Sequence, residues 1–237
     1  MTATHRTALV TGANSGLGFQ AAGRFAELGY DRVILATRSQ AKGDDTRRRL
    51  AERTGRDPFE TLTVDVTAPD VIRAAVRQLA KGGGKIDALL LNAGVLGGAE
   101  LHHATTGIER TMAASVTGHH QLTMGLLAEG LLSAEARIVI AGSEAARGDM
   151  PMFTLTDVPA FADRHFAGDR SAAVAAIARA EAPHTYSGMP QYATVKLVSA
   201  WWALALGERL PEGMAVYCVS PGSAPDTAAI RHQNWFM

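Results

Sequence analysis

The sequence predicts an α/β fold: a doubly wound parallel sheet with helices on both faces. Three observations predict it. Short apolar runs of strand length alternate with segments of helical period along the chain. The first run leads into a glycine-rich turn, and a helix-like segment follows it. The fourth run, Ala88–Leu91, is apolar at every position, as in a strand covered on both faces.

In chain order, Ala8–Val10 is the first run and Leu17–Leu28 the first helix. Val33–Ala36 and Ala41–Arg53 repeat the pair, and Leu62–Val64 is the third run. Thr67 is read as the cap of the next helix, with Pro69 in its first turn and Asp70 at its positive end. Val71, Ile72, Ala75, Val76 and Leu79 give that helix one apolar face, and Lys81-Gly82-Gly83-Gly84 ends it. After Ala88–Leu91 come a long helix over roughly Thr105–Leu127, a fifth run at Arg137–Ala141, a helix over Gln191–Arg209 and a sixth run at Ala215–Val219. The expected organisation is one domain over 1–237 with a partly helical insertion at about 144–191. That insertion holds Met150, Met152, Phe153, Phe161, Phe166 and the alanine-rich Ser171–Ala182. It reads equally as a substrate lid or as packing material.

Composition narrows the function. Lys plus Arg and Asp plus Glu are both 23, so the basic excess of a nucleic-acid binder is missing. Arg47–Arg49 has Asp44, Asp45 and Glu52 beside it and reads as a solvated helix face. Cys218 is the one cysteine, Met1–Arg6 has no apolar signal core, and no apolar run reaches about 18 residues. The expectation is a cytoplasmic soluble protein with no membrane span. The adjacent pairs His102-His103 and His119-His120 point in different directions on a helix, and no metal site is expected of them.

Three groups of residues carry chemistry. In Thr11-Gly12-Ala13-Asn14-Ser15-Gly16-Leu17-Gly18, glycines permit a tight turn and close approach to a pyrophosphate. The helix that follows offers free N–H groups and a positive dipole end. At the end of the second run stand Thr37 and Arg38 with no acid. An acid there holds the ribose hydroxyls of NAD, whereas an arginine fork suits the 2′-phosphate, so NADP(H) is favoured over NAD(H). Tyr192 and Lys196 lie four apart on one helix face. A free tyrosine titrates at about 10, and a nearby ammonium is expected to lower that value toward useful acid–base chemistry.

Together these residues resemble the short-chain dehydrogenase/reductase family, with the turn and Arg38 most like its retinol dehydrogenase and protochlorophyllide reductase-like branch. The resemblance covers nearly the whole chain. It takes in Gly12, Asn14, Ser15, Gly16, Leu17 and Gly18, then Asp65-Val66, Asn92-Ala93-Gly94, Ser143, Tyr192 with Lys196, and Pro221-Gly222. It implies a Rossmann-type fold and an NADP(H)-dependent oxidoreductase interconverting a carbonyl and an alcohol. Asp65 would meet the adenine, and Asn92 would hold the central sheet and cofactor loop. Ser143 would bond the substrate oxygen, Tyr192 would be the acid or base, and Lys196 would bind the nicotinamide ribose. Pro221, Gly222 and Thr227 would border the nicotinamide.

The sequence departs from the family in three places. Ser115 stands where many members have a relay asparagine. The gap from Ser143 to Tyr192 is longer than usual, and Tyr186, with no Lys four residues on, reads as a loop aromatic. The chain stops at Met237, where members continue through a helix and a last strand. The expectation is a truncated product or an abridged member whose sheet ends at the sixth strand. Trp201 and Trp202 make the Tyr192 helix apolar on more than one side, which suits core packing or a homodimer contact. The expected partner is a small carbonyl or alcohol substrate, with the apolar insertion suggesting a hydrophobic one. The competing reading is a non-catalytic nicotinamide-binding sensor or regulatory protein. An epimerase-like relative is a third, disfavoured because no C-terminal substrate domain follows.

Overall fold

A computed structural model describes residues 5–222. Six strands form one sheet in the order β3-β2-β1-β4-β5-β6. They are β1 (Thr7–Thr11), β2 (Arg32–Thr37), β3 (Phe59–Thr63), β4 (Ile86–Leu91), β5 (Leu132–Ala141) and β6 (Ala215–Val219). Every neighbouring pair is parallel. The chain builds outward from β1 to β3, then returns past β1 to β4. The strand order therefore reverses between β1 and β4, where ligands of such sheets bind at the carboxyl ends.

Alternation along the strands explains their continuous apolar character. Ile34 and Ala36 of β2 join one core layer with Leu9, Leu89 and Ile138. Val33 and Leu35 join the opposite layer with Val10. The first layer is closed by α3 (Pro69–Gly82), α5 (Gly118–Ala128) and α8 (Gly188–Gly207), through Ile72, Leu79, Leu122, Leu126 and Leu206. The second is closed by α1 (Gly16–Glu27) and α2 (Gln40–Thr54), through Phe19, Ala22, Ala26 and Leu50. Burying each large aliphatic side chain contributes about 1.5–3 kcal/mol, so a two-faced core is the main source of stability.

Several boundaries differ from the sequence reading. β3 begins at Phe59, three residues before the expected run. It is an edge strand in which buried Phe59 and Leu62 are interspersed with more exposed Glu60, Thr61 and Thr63. The cap of α3 is Ala68, not Thr67; the Thr67 hydroxyl instead donates to Asp65 Oδ1 at 2.7 Å. The long helix starts at Arg110 rather than Thr105, because Gly107 takes φ +76° in a turn and buried Glu109 serves as the cap. Glu109 accepts from the N–H groups of Thr111 and Met112 at 2.7 and 3.1 Å. This helix runs as α4 (Arg110–Met112), a π-helical turn (Ala113–Thr117) and α5.

Between β5 and α8 the chain forms a 3₁₀ turn (Glu144–Arg147), α6 (Val158–His165) and α7 (Arg170–Arg179). Asp157 and Asp169 cap the two helices through their carboxylates. Val158, Ala162, Ala173 and Ile177 make a small core of their own, with Phe161 and Phe166 against it. The α7 helix takes in most of the alanine-rich stretch and ends at Arg179, where Ala180 turns left-handed. On α8, Trp202 packs on the main core while Trp201 and Leu204 remain exposed. Thr227 and the question of a last strand lie outside the described residues.

Candidate active site

The site is assembled at the carboxyl ends of β1, β2, β4 and β5, with α8 packed against β6 and against the 3₁₀ turn after β5. Its floor is the turn between β1 and α1. Gly12 and Gly16 take φ of +66° and +53°, a region that L side chains rarely occupy. A side-chain carbon at Gly18 would stand 2.4 Å from the Gly12 carbonyl oxygen and 2.6 Å from Asn92 Nδ2. Ser15 caps α1 in extended geometry without a side-chain hydrogen bond. The first-turn N–H groups are thus left for an anion at the positive helix end. Backbone compression and free donors are what a dinucleotide pyrophosphate requires, so these residues fit such a cofactor.

Thr11 joins this turn to β4. Its hydroxyl oxygen accepts from the N–H groups of Asn92 at 2.8 Å and Ala93 at 2.9 Å. In return Asn92 Nδ2 donates to the Thr11 carbonyl at 3.0 Å. Gly94 follows, exposed, with Ser115 Oγ beside it. Arg38 is exposed at the end of β2, and its guanidinium has no hydrogen bond or ion pair among the described residues. Asp65 is half-buried after β3, where one carboxylate oxygen holds the Thr67 N–H at 2.8 Å. Val66 beside it is buried. Pro221 and Gly222 are exposed just past β6, with Gly222 at φ +71°.

Tyr192 and Lys196 share a face of α8, as their spacing requires. Lys196 is buried, and its ammonium donates to the Ala141 carbonyl at the end of β5 at 2.7 Å. Burial pushes its pKa down to about 8, with neighbouring Cys218 opposing the shift. Its Nζ lies 5.6 Å from the centre of the Tyr192 ring. Ser143, half-buried two residues past Ala141, caps the 3₁₀ turn by accepting from Ala145 N–H at 3.2 Å. The long gap before Tyr192 thus does not keep the two apart.

The electrostatics depart from expectation. The phenol of Tyr192 is pushed up by burial, and the Ser143 hydroxyl beside it works in the opposite direction. The lysine was expected to lower it. Desolvation prevails because the ammonium is held on the Ala141 carbonyl, over the ring rather than on the phenol oxygen.

Ser115 lies in the π-helical turn, buried, and its hydroxyl has no hydrogen-bond partner among the described residues. A cleft of about 650 Å³ opens between the loop after β4, the chain at 151–154 and the start of α8, where Pro190 stands two residues before Tyr192. Ala99, Pro151, Met152 and Met189 line it together with Thr154 and Ser187. Phe153 follows Met152 of this lining, and its ring centre lies 6.2 Å from that of Tyr192.

Two features escaped the sequence reading. Gln191, beside Tyr192, is buried and donates to the Ile177 carbonyl at 3.1 Å and to Glu109 at 3.3 Å, tying α8 to α7 and α4. His119 is buried between Thr11 and Ser115. Its place four residues after Ser115 was the available signal, since such pairs share a helix face. Among the described residues no cluster of three His, Cys, Asp or Glu could hold a metal. No helix there is long and apolar enough to cross a membrane.

A family model described as short chain dehydrogenase matches residues 6–155. The chain belongs to the short-chain dehydrogenase family. It is therefore a member of a family of oxidoreductases. The WW domain-containing oxidoreductase of Drosophila melanogaster is 28% identical over 236 residues, covering 98% of this chain and 52% of that protein. The chloroplastic protochlorophyllide reductase of Chlamydomonas reinhardtii is 31% identical over 143 residues, covering 58% of this chain and 35% of that protein. The chain thus spans about half the length of the first relative and less of the second. Among solved structures, a short-chain dehydrogenase from Sphingobium yanoikuyae in complex with NADPH has a TM-score of 0.64 at 25% identity. That match covers 92% of this chain and 71% of that one. A 3-ketoacyl-(acyl-carrier-protein) reductase from Brucella melitensis complexed with NADH shares the fold, with a TM-score of 0.64 at 21% identity. There the coverage is 95% of this chain and 78% of that one.

Proposed function

We propose that the chain is an NADP(H)-dependent oxidoreductase that interconverts a carbonyl and an alcohol, with Tyr192 as the acid or base. One observation carries this reading: Tyr192, Lys196 and Ser143 meet at the end of β5, on the side of the sheet where the glycine turn lies. Bound nicotinamide supplies or accepts the hydride. The chain's own residues do the rest. The Thr11–Gly18 turn and the first turn of α1 hold the pyrophosphate, and Arg38 takes the 2′-phosphate. Asp65-Val66 and Asn92-Ala93-Gly94 flank the cofactor, with Pro221 and Gly222 at the nicotinamide end.

Ser143 directs its hydroxyl to the substrate oxygen and Tyr192 exchanges the proton with that oxygen. Lys196 holds the ribose and fixes α8 against β5 through Ala141. Ser115 offers its unpartnered hydroxyl where the family's relay asparagine would stand. The cleft holding Met152 and Met189, with Thr154 and Ser187 beside them, suits a substrate with a hydrophobic portion.

The test is a fluorescence titration with NADPH and with NADH, on the wild type and on Arg38→Ala. Tight NADPH binding lost in the variant supports the reading and justifies a carbonyl screen with Tyr192→Phe as control. Binding of neither cofactor would overturn it.

A further inference from the structure

His119 is a buried titratable group for which the chemistry above has no use. It sits in the first turn of α5, one turn after Ser115, and is 1% exposed. Its two ring nitrogens face two different pieces of the site. Nε2 lies 3.0 Å from Thr11 Oγ1 and Nδ1 lies 3.3 Å from the Ser115 carbonyl oxygen.

The roles of the two nitrogens follow from counting donors and acceptors. A hydroxyl has two lone pairs and one hydrogen. Both lone pairs of Thr11 Oγ1 are taken, by the N–H groups of Asn92 and Ala93. Thr11 can then only donate, to His119 Nε2 or to the Leu90 carbonyl at a longer 3.3 Å. A hydrogen on Nε2 would face an oxygen with nothing left to accept it, at the cost of an unpaired buried donor. Nε2 therefore accepts, and the hydrogen sits on Nδ1, where the Ser115 carbonyl receives it.

We propose that His119 is a positioning residue for the cofactor site: a neutral imidazole that clamps Thr11, and through it the ends of β1 and β4, to the helical turn carrying Ser115. It touches neither cofactor nor substrate. It acts through Thr11, whose backbone opens the glycine turn, and through Ser115, whose carbonyl it fixes. Burial, with the nearby Lys196 charge adding to it, pushes its pKa down to about 3, consistent with a ring that stays neutral and carries no proton in the reaction. The inference rests on the Thr11–Gly18 turn being an NADP(H) site.

Two measurements test it. Nitrogen NMR of the ¹⁵N-labelled protein at neutral pH, with His119 assigned by its loss in His119→Gln, is expected to show the neutral Nδ1–H tautomer. A ring hydrogenated on Nε2, or on both nitrogens, overturns the clamp. NADPH titrations then compare wild type, His119→Gln and His119→Leu, each well below its own melting temperature. Gln keeps an acceptor within reach of Thr11, whereas Leu keeps only bulk. Affinity is expected to fall roughly tenfold in His119→Leu and to stay near wild type in His119→Gln, although both melt earlier. Equal binding by all three, or losses in Gln and Leu that simply follow their melting temperatures, overturns the positioning role. A wild type that binds no NADPH sinks the cofactor reading and this role with it; wild-type binding with unaffected variants sinks this role alone.

Discussion

The ammonium of Lys196 donates to the carbonyl oxygen of Ala141 at 2.7 Å, across the gap between α8 and the end of β5. A buried charge that makes such a bond is partly compensated, not fully, as its depressed pKa of about 8 shows. The folded state binds this proton less readily than the unfolded chain. Between pH 8 and the ordinary lysine value of 10.5 the unfolded state therefore carries more protons, and stability from this group rises with pH. Lys196→Met removes the buried charge. It is expected to be more stable than wild type at pH 7 by about 1–2 kcal/mol, after allowing for the lost hydrogen bond. The advantage should shrink as pH rises from 8 toward 10.5. Urea melts of both proteins across that range check this; a wild type more stable than the variant at pH 7 would contradict it.

Tyr192→Phe keeps the ring against Phe153 and deletes the phenol hydroxyl. The expected result is an unchanged NADPH affinity with turnover down by about a hundred- to ten-thousandfold on any carbonyl substrate that the wild type reduces. Steady-state rates at saturating cofactor read this directly. A variant with near wild-type turnover would move the acid–base role elsewhere.

Arg38 is exposed and has no partner among the described residues, so its removal should leave stability alone. Arg38→Ala is expected to weaken NADPH binding about ten- to a hundredfold, the worth of charged hydrogen bonds to a phosphate, and to leave NADH binding unchanged. Parallel titrations with the two cofactors are the measurement.

His119 is expected to make the fold acid-sensitive. Its folded pKa of about 3 lies below the ordinary value of 6.5. Its full contribution is present above pH 6.5 and is lost progressively as pH falls toward 3. Between pH 6.5 and 5 the wild type should lose about 2 kcal/mol from this residue alone. His119→Gln, though less stable at pH 7, is expected to show a flatter acid limb in denaturant melts.

Gly18→Ala would press a methyl group onto the Gly12 carbonyl and Asn92 Nδ2. The contact at 2.4 Å is with backbone, which cannot rotate away. Stability is expected to drop by about 1–3 kcal/mol and NADPH binding to be lost, because the turn and the first helical N–H groups move together. Calorimetry with and without NADPH separates the two effects.

Much of this was legible in the residues because it was local. Six apolar runs separated by helical segments announced the sheet, and the glycine turn and the Tyr192–Lys196 spacing announced the site. What escaped depended on neighbours distant in sequence. The first half of β3 was missed because an edge strand buries only part of its side chains, so Glu60 and Thr61 diluted the apolar signal. The late start of the long helix was hidden because Glu109 becomes a cap only through the turn at Gly107. The upward shift of Tyr192 comes from burial, which depends on how α8 packs in the folded chain. His119 looked like half of an unpromising metal pair because its partners come from β1 and from its own helix one turn earlier.

Gly97 and Gly188 meet with almost nothing between them. A side-chain carbon on Gly97 would stand 2.1 Å from the Gly188 carbonyl, and one on Gly188 would stand 2.3 Å from that of Gly98. The start of the helix bearing Tyr192 thus rests directly on the loop that follows Asn92-Ala93-Gly94. For an engineer widening the cleft toward bulkier substrates, this seam separates two kinds of position. Met152 and Met189 line the cleft with flexible side chains, whereas one methyl group on either glycine would be pressed against backbone and force the start of the Tyr192 helix away from the loop.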